Sequence, residues 1–509
     1  MERFLKHHAD QILGVLHGFD RVLYRGSLRC LSYQDGFEAF LASHHVLYKD
    51  FAAFSKKQSD QLKEHAEQLA RQAGRPCQYV ASPSASKEDI AREIIEKDHL
   101  TEGLVCVLTC VELCYSYQVQ KDAVKKHIDV KPAERKCLHL YFYYLDREYG
   151  LMHVRLQTWL PFTVQVCVNG HSWLARQLDR RKIGYATHDN CFTRIDDLPQ
   201  AQQLMDQLTK PPTAFLTMLG RRVNPLLKKL KLWGYYWSIR NGEYSTDVMF
   251  KDRVMLTQLY PHLLHHAVEQ FRSAEVMRFL GRRLSWQFQN ECTTHLNERT
   301  EGVRIKHWVD ENSIKMYDKG SVLRVETTIN NPRRFKVRRM MTQKSGQREI
   351  RWLPMRKGIV DQPRWVEFCR SANARYLEAL AVVSEPKPVA TVLDPVSVRR
   401  VKDGRPYRPL RPVSKEDAAV FELLLDGRFL LKGFRNQDLR TALWPHDEKD
   451  DEKRRRASGR SNRLLRLLRA HHLIGKVPNT RYYRVSPLGQ SVMTTALQLR
   501  STDLALLAA

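Results

Sequence analysis

Residues 302–340 read GVRIKHWVDENSIKMYDKGSVLRVETTINNPRRFKVRRM and carry the clearest fold signal in the chain. Apolar and polar residues alternate along four short segments, and turn-forming sequences such as Asp310-Glu311-Asn312 and Asp318-Lys319-Gly320 separate the segments. Because successive side chains of a strand point to opposite faces, the pattern predicts up to four paired strands with one apolar face. The other face is predicted to carry Arg304, Lys306, Trp308, Lys315, Tyr317, Arg324, Lys336 and Arg338.

Cations and flat aromatic rings on one sheet face are the combination that a nucleic-acid platform needs. The cations meet the phosphate backbone, and bases stack on the rings. The alternative interpretation is an ordinary solvated face, because lysine and arginine are usually exposed. The charge of the whole chain favours the nucleic-acid interpretation.

The composition indicates a multidomain protein with a polyanionic partner. The chain has 509 residues and a formal net charge of +28, which suggests two to four domains and either a nucleic acid or an anionic membrane as partner. We find no apolar run of about 18 residues and no secretory signal at the start, so we expect no membrane partner. The expected location is cytoplasmic, or nucleoid-associated if the protein is bacterial.

Ten cysteines are scattered through the sequence without a CxxC pair. Without an export signal they are best interpreted as reduced thiols, and no metal site is predicted from them.

Four segments follow from the distribution of patterns and prolines. Residues 1–209 are predicted to form a mixed α/β domain, and residues 210–383 a central basic α/β domain with an antiparallel sheet. Within the second segment, Asn241-Gly242 predicts a β-hairpin. The Pro/Arg-rich residues 384–415 are predicted to be an extended linker. Residues 416–509 form a separate small domain.

The order of elements in that last segment is helix, helix, basic helix and β-hairpin. In the basic helix, predicted over residues 458–472, leucines form one stripe, and Arg460, Arg463, Arg466 and Arg469 recur every three residues opposite it. This C-terminal part of about 85 residues resembles a winged-helix DNA-binding domain. The resemblance implies that these arginines, with Ser461 and Asn462, lie in or over the major groove and that Arg481 lies on the wing. The alternative is a winged helix that serves protein contacts.

Two further resemblances say less about the function of the protein. The chain as a whole resembles a group of uncharacterised bacterial proteins, which implies no activity. The residues Lys315-Met316-Tyr317-Asp318-Lys319 and Leu323-Arg324-Val325-Glu326 are similar to a strand pair of rolling-circle replication initiators. The His-x-His metal motif of those initiators does not occur in this sequence, so their chemistry is not implied.

An enzyme remains the main alternative. The sequence contains no GxxxxGKS, HExxH or GxSxG motif. A metal-dependent nuclease or transposase would need converging carboxylates and Mg²⁺, and the strand-borne candidates for catalytic residues are Asp20, Glu112, Asp247 and Glu326. Glu326 is better interpreted as a salt-bridge partner, because cations surround it.

The sequence thus predicts a multidomain α/β protein with mixed sheets and a C-terminal winged helix. It is expected to bind DNA, RNA or both, without a cofactor. The alternatives are a metal-dependent nuclease or transposase-like protein of a mobile element, possibly associated with RNA, and a transcription regulator.

Overall fold

The structure is a computed structural model of the whole chain. It describes all residues except 123–126, 283–290, 300–301, 343–345, 385–388, 426–428, 430–432, 479 and 502–509. The chain divides into two compact units, Met1–Ser384 and Glu385–Ala509.

The first unit contains helices and strands in a mixed order. Its helices are α1 (Glu2–His7), α2 (Gln34–Ser43), α3 (Phe51–Gln72), α4 (Lys87–Lys97), α5 (Gly170–Arg181), α6 (Leu198–Met205), α7 (Thr213–Val223), α8 (Leu226–Lys229), α9 (Arg253–Gln270), α10 (Ser273–Phe279) and α11 (Gln362–Leu380). Its strands are β1 (Ile12–Ser27), β2 (Cys77–Tyr79), β3 (Gly103–Asp122), β4 (His127–Asp146), β5 (Gly150–Gln157), β6 (Val164–Asn169), β7 (Tyr185–His188), β8 (Cys191–Ile195), β9 (Tyr236–Phe250), β10 (Thr293–Arg299), β11 (Gly302–Val309), β12 (Asn312–Asp318), β13 (Val322–Ile329), β14 (Lys336–Thr342) and β15 (Arg348–Pro354).

The second unit is smaller. It contains the helices α12 (Val389–Leu393), α13 (Lys415–Leu424), α14 (Asn436–Leu443), α15 (Asp451–Ala470) and α16 (Pro487–Ser501). Its strands form two short hairpins, β16 (Arg400–Lys402) with β17 (Arg405–Tyr407), and β18 (Ile474–Lys476) with β19 (Tyr483–Val485).

One sheet of 11 strands organises the first unit. Its order is β10-β11-β12-β13-β9-β1-β6-β5-β4-β3-β2, and every neighbouring pair is antiparallel except β2 and β3. The predicted boundary between residues 209 and 210 falls within this fold, because strands from both sides of it share the sheet. The prediction of mixed α/β architecture is confirmed.

The predicted strands of residues 302–329 pair in order as β11, β12 and β13. The turn between β11 and β12 has two residues, Asp310 and Glu311. Both have positive φ, as a two-residue hairpin loop of type I′ requires. The apolar set of these strands, Ile305, Ile314, Met316, Leu323 and Val325, is fully buried. Helix α11 covers part of this face, where it packs against β9 and β13.

The fourth predicted strand does not join this sheet. Residues 336–342 form β14, which pairs with β15 in a separate two-stranded ribbon. The place beside β13 is already taken by β9, which pairs with it from Val322 to Ile329. The predicted strand therefore exists, but its partner is a segment further along the chain.

The hairpin predicted at Asn241-Gly242 is wrong. Both residues lie inside the continuous strand β9, and neither has a positive φ. Gly242 pairs with Val22 on one side and with Ile329 on the other, so both edges of this segment are occupied. Pairing with two distant strands overrides the local turn signal.

The segment predicted as an extended linker is structured where it is described. It forms α12 and the β16–β17 hairpin. Its apolar residues Leu393, Val396 and Leu410 are buried in the core of the second unit, together with Phe421 and Leu468. The linker was predicted from the prolines and arginines of the segment, and this composition does not reveal that its apolar residues are buried.

Candidate nucleic-acid interface

The strand pairing places the predicted cations and rings on one face of the large sheet, which we call the polar face. Arg304, Tyr317 and Arg324 lie in one row across β11, β12 and β13, and Lys306, Lys315 and Glu326 in the next. The pairing with β9 extends these rows to Asp247 and Ser245. The prediction that these residues share a face is therefore confirmed for these strands, and Lys336 and Arg338 are excluded from it by the separate ribbon.

Lys315 lies on this face but is buried, with 8% of its side chain exposed. Its Nζ lies 2.6 Å from Glu326 Oε1 and 3.6 Å from Glu243 Oε1. Burial lowers the pKa of Lys315, but the two carboxylates outweigh burial and leave the pKa above its ordinary value. The predicted exposure of Lys315 is wrong, and the interpretation of Glu326 as a salt-bridge partner fits this geometry.

Arg324 is likewise buried rather than outward-facing. Its Nε donates to Asp247 Oδ1 (2.8 Å), and its Nη2 donates to Asp247 Oδ2 (2.7 Å). Its Nη1 donates to Asp20 Oδ2 (3.1 Å), and its Nη2 also donates to the carbonyl of Asn190 (2.8 Å). With its charge paired to two carboxylates inside the protein, Arg324 is a structural cation and not a contact for a partner.

Local backbone features bring Asp20 to Arg324. The pairing of β1 with β9 shifts register between Phe19 and Arg21, and such a bulge redirects the side chain of the extra residue. A Cβ on Gly170 would lie 1.8 Å from the carbonyl oxygen of Phe19, so glycine lets α5 approach β1 and bring His171 Nδ1 to 3.3 Å from Asp20 Oδ1. Burial raises the pKa of Asp20, but Arg324 and His171 lower it below its ordinary value.

The structure brings together three of the four candidate catalytic residues, but as ion-pair partners. Asp20 and Asp247 hold Arg324 between them, and Glu326 holds Lys315. Glu112 lies elsewhere on the sheet, where it accepts hydrogen bonds from Tyr141 (2.7 Å) and Arg155 (2.7 Å) and lies 3.0 Å from Lys87 Nζ. Among the described residues no group of His, Cys, Asp and Glu is arranged to hold a metal ion. These carboxylates do not fit a Mg²⁺ site.

Two cation–ring pairs on the polar face are half-buried. Lys306 Nζ lies 4.1 Å from the centre of the Trp308 ring, and the Arg304 guanidinium lies 5.7 Å from the centre of the Tyr317 ring. Burial and the nearby Lys315 lower the pKa of Lys306. These four residues can still reach a partner, unlike Lys315 and Arg324.

The ribbon of β14 and β15 forms a second basic surface. Lys336 and Arg338 are exposed, and the Arg338 guanidinium lies 5.8 Å from the centre of the Trp352 ring across the ribbon. Trp352 itself is 63% exposed. The two predicted cations are therefore accessible, on an element separate from the polar face.

Helix α15 of the second unit presents a third basic surface. Arg463 and Arg466 are exposed, and neither forms an ion pair with any residue in the described part of the chain. Arg460 is exposed but paired with Asp447, 2.7 Å away, and Arg469 is half-buried. Arg481 is exposed between β18 and β19.

Ser461 and Asn462, which the winged-helix resemblance assigned to the groove, have different surroundings in the second unit. Ser461 is fully buried. Asn462 is exposed, and its Oδ1 accepts a hydrogen bond of 2.7 Å from Nδ2 of Asn436 on α14. Ser461 is therefore not accessible to a partner, and Asn462 links α15 to α14.

Sequence reasoning missed Trp233. It follows α8 and is 100% exposed, and Lys228, Lys229 and Lys231 are exposed close by in sequence. The run KKLKLWG contains the signal, an aromatic residue directly after a cluster of lysines.

No protein-family model, curated protein or solved structure matches this chain. No helix in the described ranges is both long enough and apolar enough to cross a membrane.

Proposed function

We propose that this protein binds nucleic acid and that α15 makes its contact with duplex DNA. The observation that carries the proposal is the pair Arg463 and Arg466, exposed on one side of α15 without an internal ion-pair partner. They are three positions apart in the sequence, so they lie on neighbouring turns of the same helix face. From residue 453 to residue 470 the helix contains no acid.

The chemistry of these side chains suits DNA. A guanidinium presents a planar set of donors that matches phosphate and the edge of guanine. The major groove is wide enough to admit an α-helix, and α15 is 20 residues long. The helix is thus long enough to lie in the major groove, and it carries exposed cations that can contact the DNA there.

The order of elements around α15 supports a winged-helix arrangement. Helices α13, α14 and α15 precede the hairpin of β18 and β19, and α16 follows. In that arrangement α15 is the recognition helix, and Arg481 lies on the wing between the two strands. A role as transcription regulator would use the same duplex contact.

Single-stranded nucleic acid is a second candidate partner, for the first unit. Lys306 with Trp308 and Arg304 with Tyr317 place a cation beside a flat ring on adjacent strands. This pairing suits unpaired bases, which stack on rings while cations meet the phosphates. Replacing Trp308 and Tyr317 with alanine should weaken single-strand binding more than duplex binding, and an equal loss on both would argue against stacking.

The test of the duplex contact is the double variant Arg463→Ala/Arg466→Ala. We expect its affinity for duplex DNA to fall by about tenfold or more, since each arginine contact with a base or phosphate contributes roughly 1 kcal/mol or more. Fluorescence anisotropy with a labelled duplex at fixed salt measures the change.

The matched control removes the same charge from an unrelated surface. Lys63 and Arg71 on α3 are exposed and flank Glu67, and Lys63→Ala/Arg71→Ala should change duplex affinity little. Circular dichroism checks that both variants fold. Equal affinities of the two double variants would show that α15 is not the duplex contact.

A further inference from the structure

Three cations meet on the polar face at some distance from the buried ion pairs. Arg25 on β1 lies directly opposite Gln165 on β6 and Ser238 on β9, so its side chain shares their face. Arg240 lies two residues further along β9, at a register shift in the pairing with β1. The carbonyl of Lys357 accepts a hydrogen bond of 2.7 Å from the amide of Ile239, which places Lys357 along the other edge of β9.

No carboxylate forms an ion pair with this group, although Glu311 acts on Lys357 from a greater distance. Arg25, Arg240 and Lys357 form no ion pair with any residue that the structure describes. The Nε of Arg25 is buried and lacks a hydrogen-bond partner. Uncompensated cations that share one surface repel each other, and a buried donor without an acceptor is costly.

The electrostatics of the three side chains agree with their proximity. Burial and then the neighbouring Arg240 lower the pKa of Arg25. Burial also lowers the pKa of Lys357, and although Glu311 raises it, Arg333, Arg240 and Arg25 lower it further. Each cation therefore acts on at least one of the others.

Two acids on this side of the sheet already have partners within the chain, and one of them is Glu243 on β9, which lies 3.6 Å from Lys315 Nζ. Arg155, two strands away from Arg25, lies opposite Gln165 and donates to Glu112 at 2.7 Å. Arg155 and Glu112 therefore compensate each other at the border of the group. An anion from outside the chain is what would satisfy the remaining three cations.

We propose that Arg25, Arg240 and Lys357 form a binding site for a phosphate group. Two guanidinium groups and one ammonium supply donors from several directions, as phosphate oxygens require. The inference rests on the proposed function for the source of the phosphate, which is the backbone of a bound single strand. A free phosphate, or the phosphate chain of a nucleotide, has the same chemistry.

The experiment compares the full-length protein with the variant Arg240→Gln/Lys357→Gln. Both side chains are exposed, so the variant should fold, and circular dichroism checks this. The probes are a single-stranded oligonucleotide of about 12 nucleotides, measured over a range of salt, and pyrophosphate, measured by isothermal titration calorimetry. The variant Arg240→Lys keeps the charge and should retain most of the affinity.

We expect the double variant to bind the oligonucleotide at least about tenfold more weakly, with a salt slope smaller by about 1.4, which corresponds to two lost phosphate contacts. Loss of pyrophosphate binding with unchanged oligonucleotide binding would support the site and assign it to a free phosphate. If the wild type binds no nucleic acid, the proposed function is wrong. The phosphate site is then tested only by whether the double variant binds pyrophosphate more weakly than the wild type. Unchanged binding of both probes by the double variant overturns the site.

Discussion

Lys315 shows how a buried lysine can remain charged in this protein. Its Nζ lies 2.6 Å from Glu326 Oε1, and both side chains are more than nine-tenths buried. Such a pair contributes little beyond two apolar residues of similar size, but either partner left alone is a buried charge without compensation. The role of Lys315 is therefore to neutralise Glu326.

This role predicts different results for single and double substitutions. Glu326→Leu alone should lower the free energy of unfolding by about 3–5 kcal/mol, because Lys315 loses its nearest carboxylate. Lys315→Met/Glu326→Leu should cost clearly less and should bind nucleic acid like the wild type. Urea unfolding followed by tryptophan fluorescence measures stability. A double variant that is stable but loses nucleic-acid affinity would show that Lys315 is a contact after all.

The alternation of apolar and polar residues identified which residues of β11–β13 share a face. It did not identify which of these side chains are buried by other parts of the chain. What covers Arg324 comes from distant parts of the chain: Asp20 from β1, His171 from α5 and the carbonyl of Asn190 between β7 and β8. Asp20 and Arg324 are 304 residues apart. No local pattern contains such a contact, so the sequence could not separate structural cations from accessible ones.

Helix α15 was predicted over residues 458–472 and spans Asp451–Ala470. Asp450 accounts for the earlier start, because its Oδ1 accepts hydrogen bonds from the amides of Glu452 and Lys453 and so caps the helix. The acidic residues in the first turn also stabilise the helix, because their negative charges interact with the positive N-terminal end of the helix dipole. Residues 451–457, which precede the predicted start, are thus the first part of the basic helix.

Gly459 in the middle of α15 gives a prediction at the level of this helix. A Cβ at this position would meet nothing within 4 Å, and glycine inside a helix costs roughly 0.5–1 kcal/mol relative to alanine. Gly459→Ala should therefore raise the thermal midpoint of the second unit.

The same substitution should weaken duplex binding if a DNA backbone passes close to this face of α15, since the added methyl group would occupy the contact. Differential scanning calorimetry and anisotropy measured on the same preparation separate the two effects. A stabilised variant with unchanged duplex affinity would show that DNA does not approach the helix at Gly459.

The whole molecule combines a large first unit with a smaller second unit. The sequence located the change near residue 384, because prolines cluster there, and the compact units divide at Ser384 and Glu385. It also predicted a boundary between residues 209 and 210. Long-range strand pairing removes that boundary, since β9 lies between β1 and β13 in the sheet.

Charge is distributed over both units. The first unit presents the polar face, the β14–β15 ribbon and the lysines around Trp233, and the second unit presents α15. Composition predicted this excess of cations, but only the structure shows which of them lack internal partners. Arg25, Arg240, Lys357, Arg463 and Arg466 form no ion pair in the described part of the chain, and the proposals of a duplex contact and of a phosphate site rest on these residues.

The central claim is that α15 contacts duplex DNA, and photo-crosslinking tests it most directly. The full-length protein, freed of nucleic acid at high salt, would be irradiated with a duplex containing a photoreactive base, and the crosslinked peptides mapped by mass spectrometry. We predict crosslinks within residues 453–469 and near Arg481, and their loss in Arg463→Ala/Arg466→Ala. Crosslinks confined to the first unit, or none at low salt, would contradict the account.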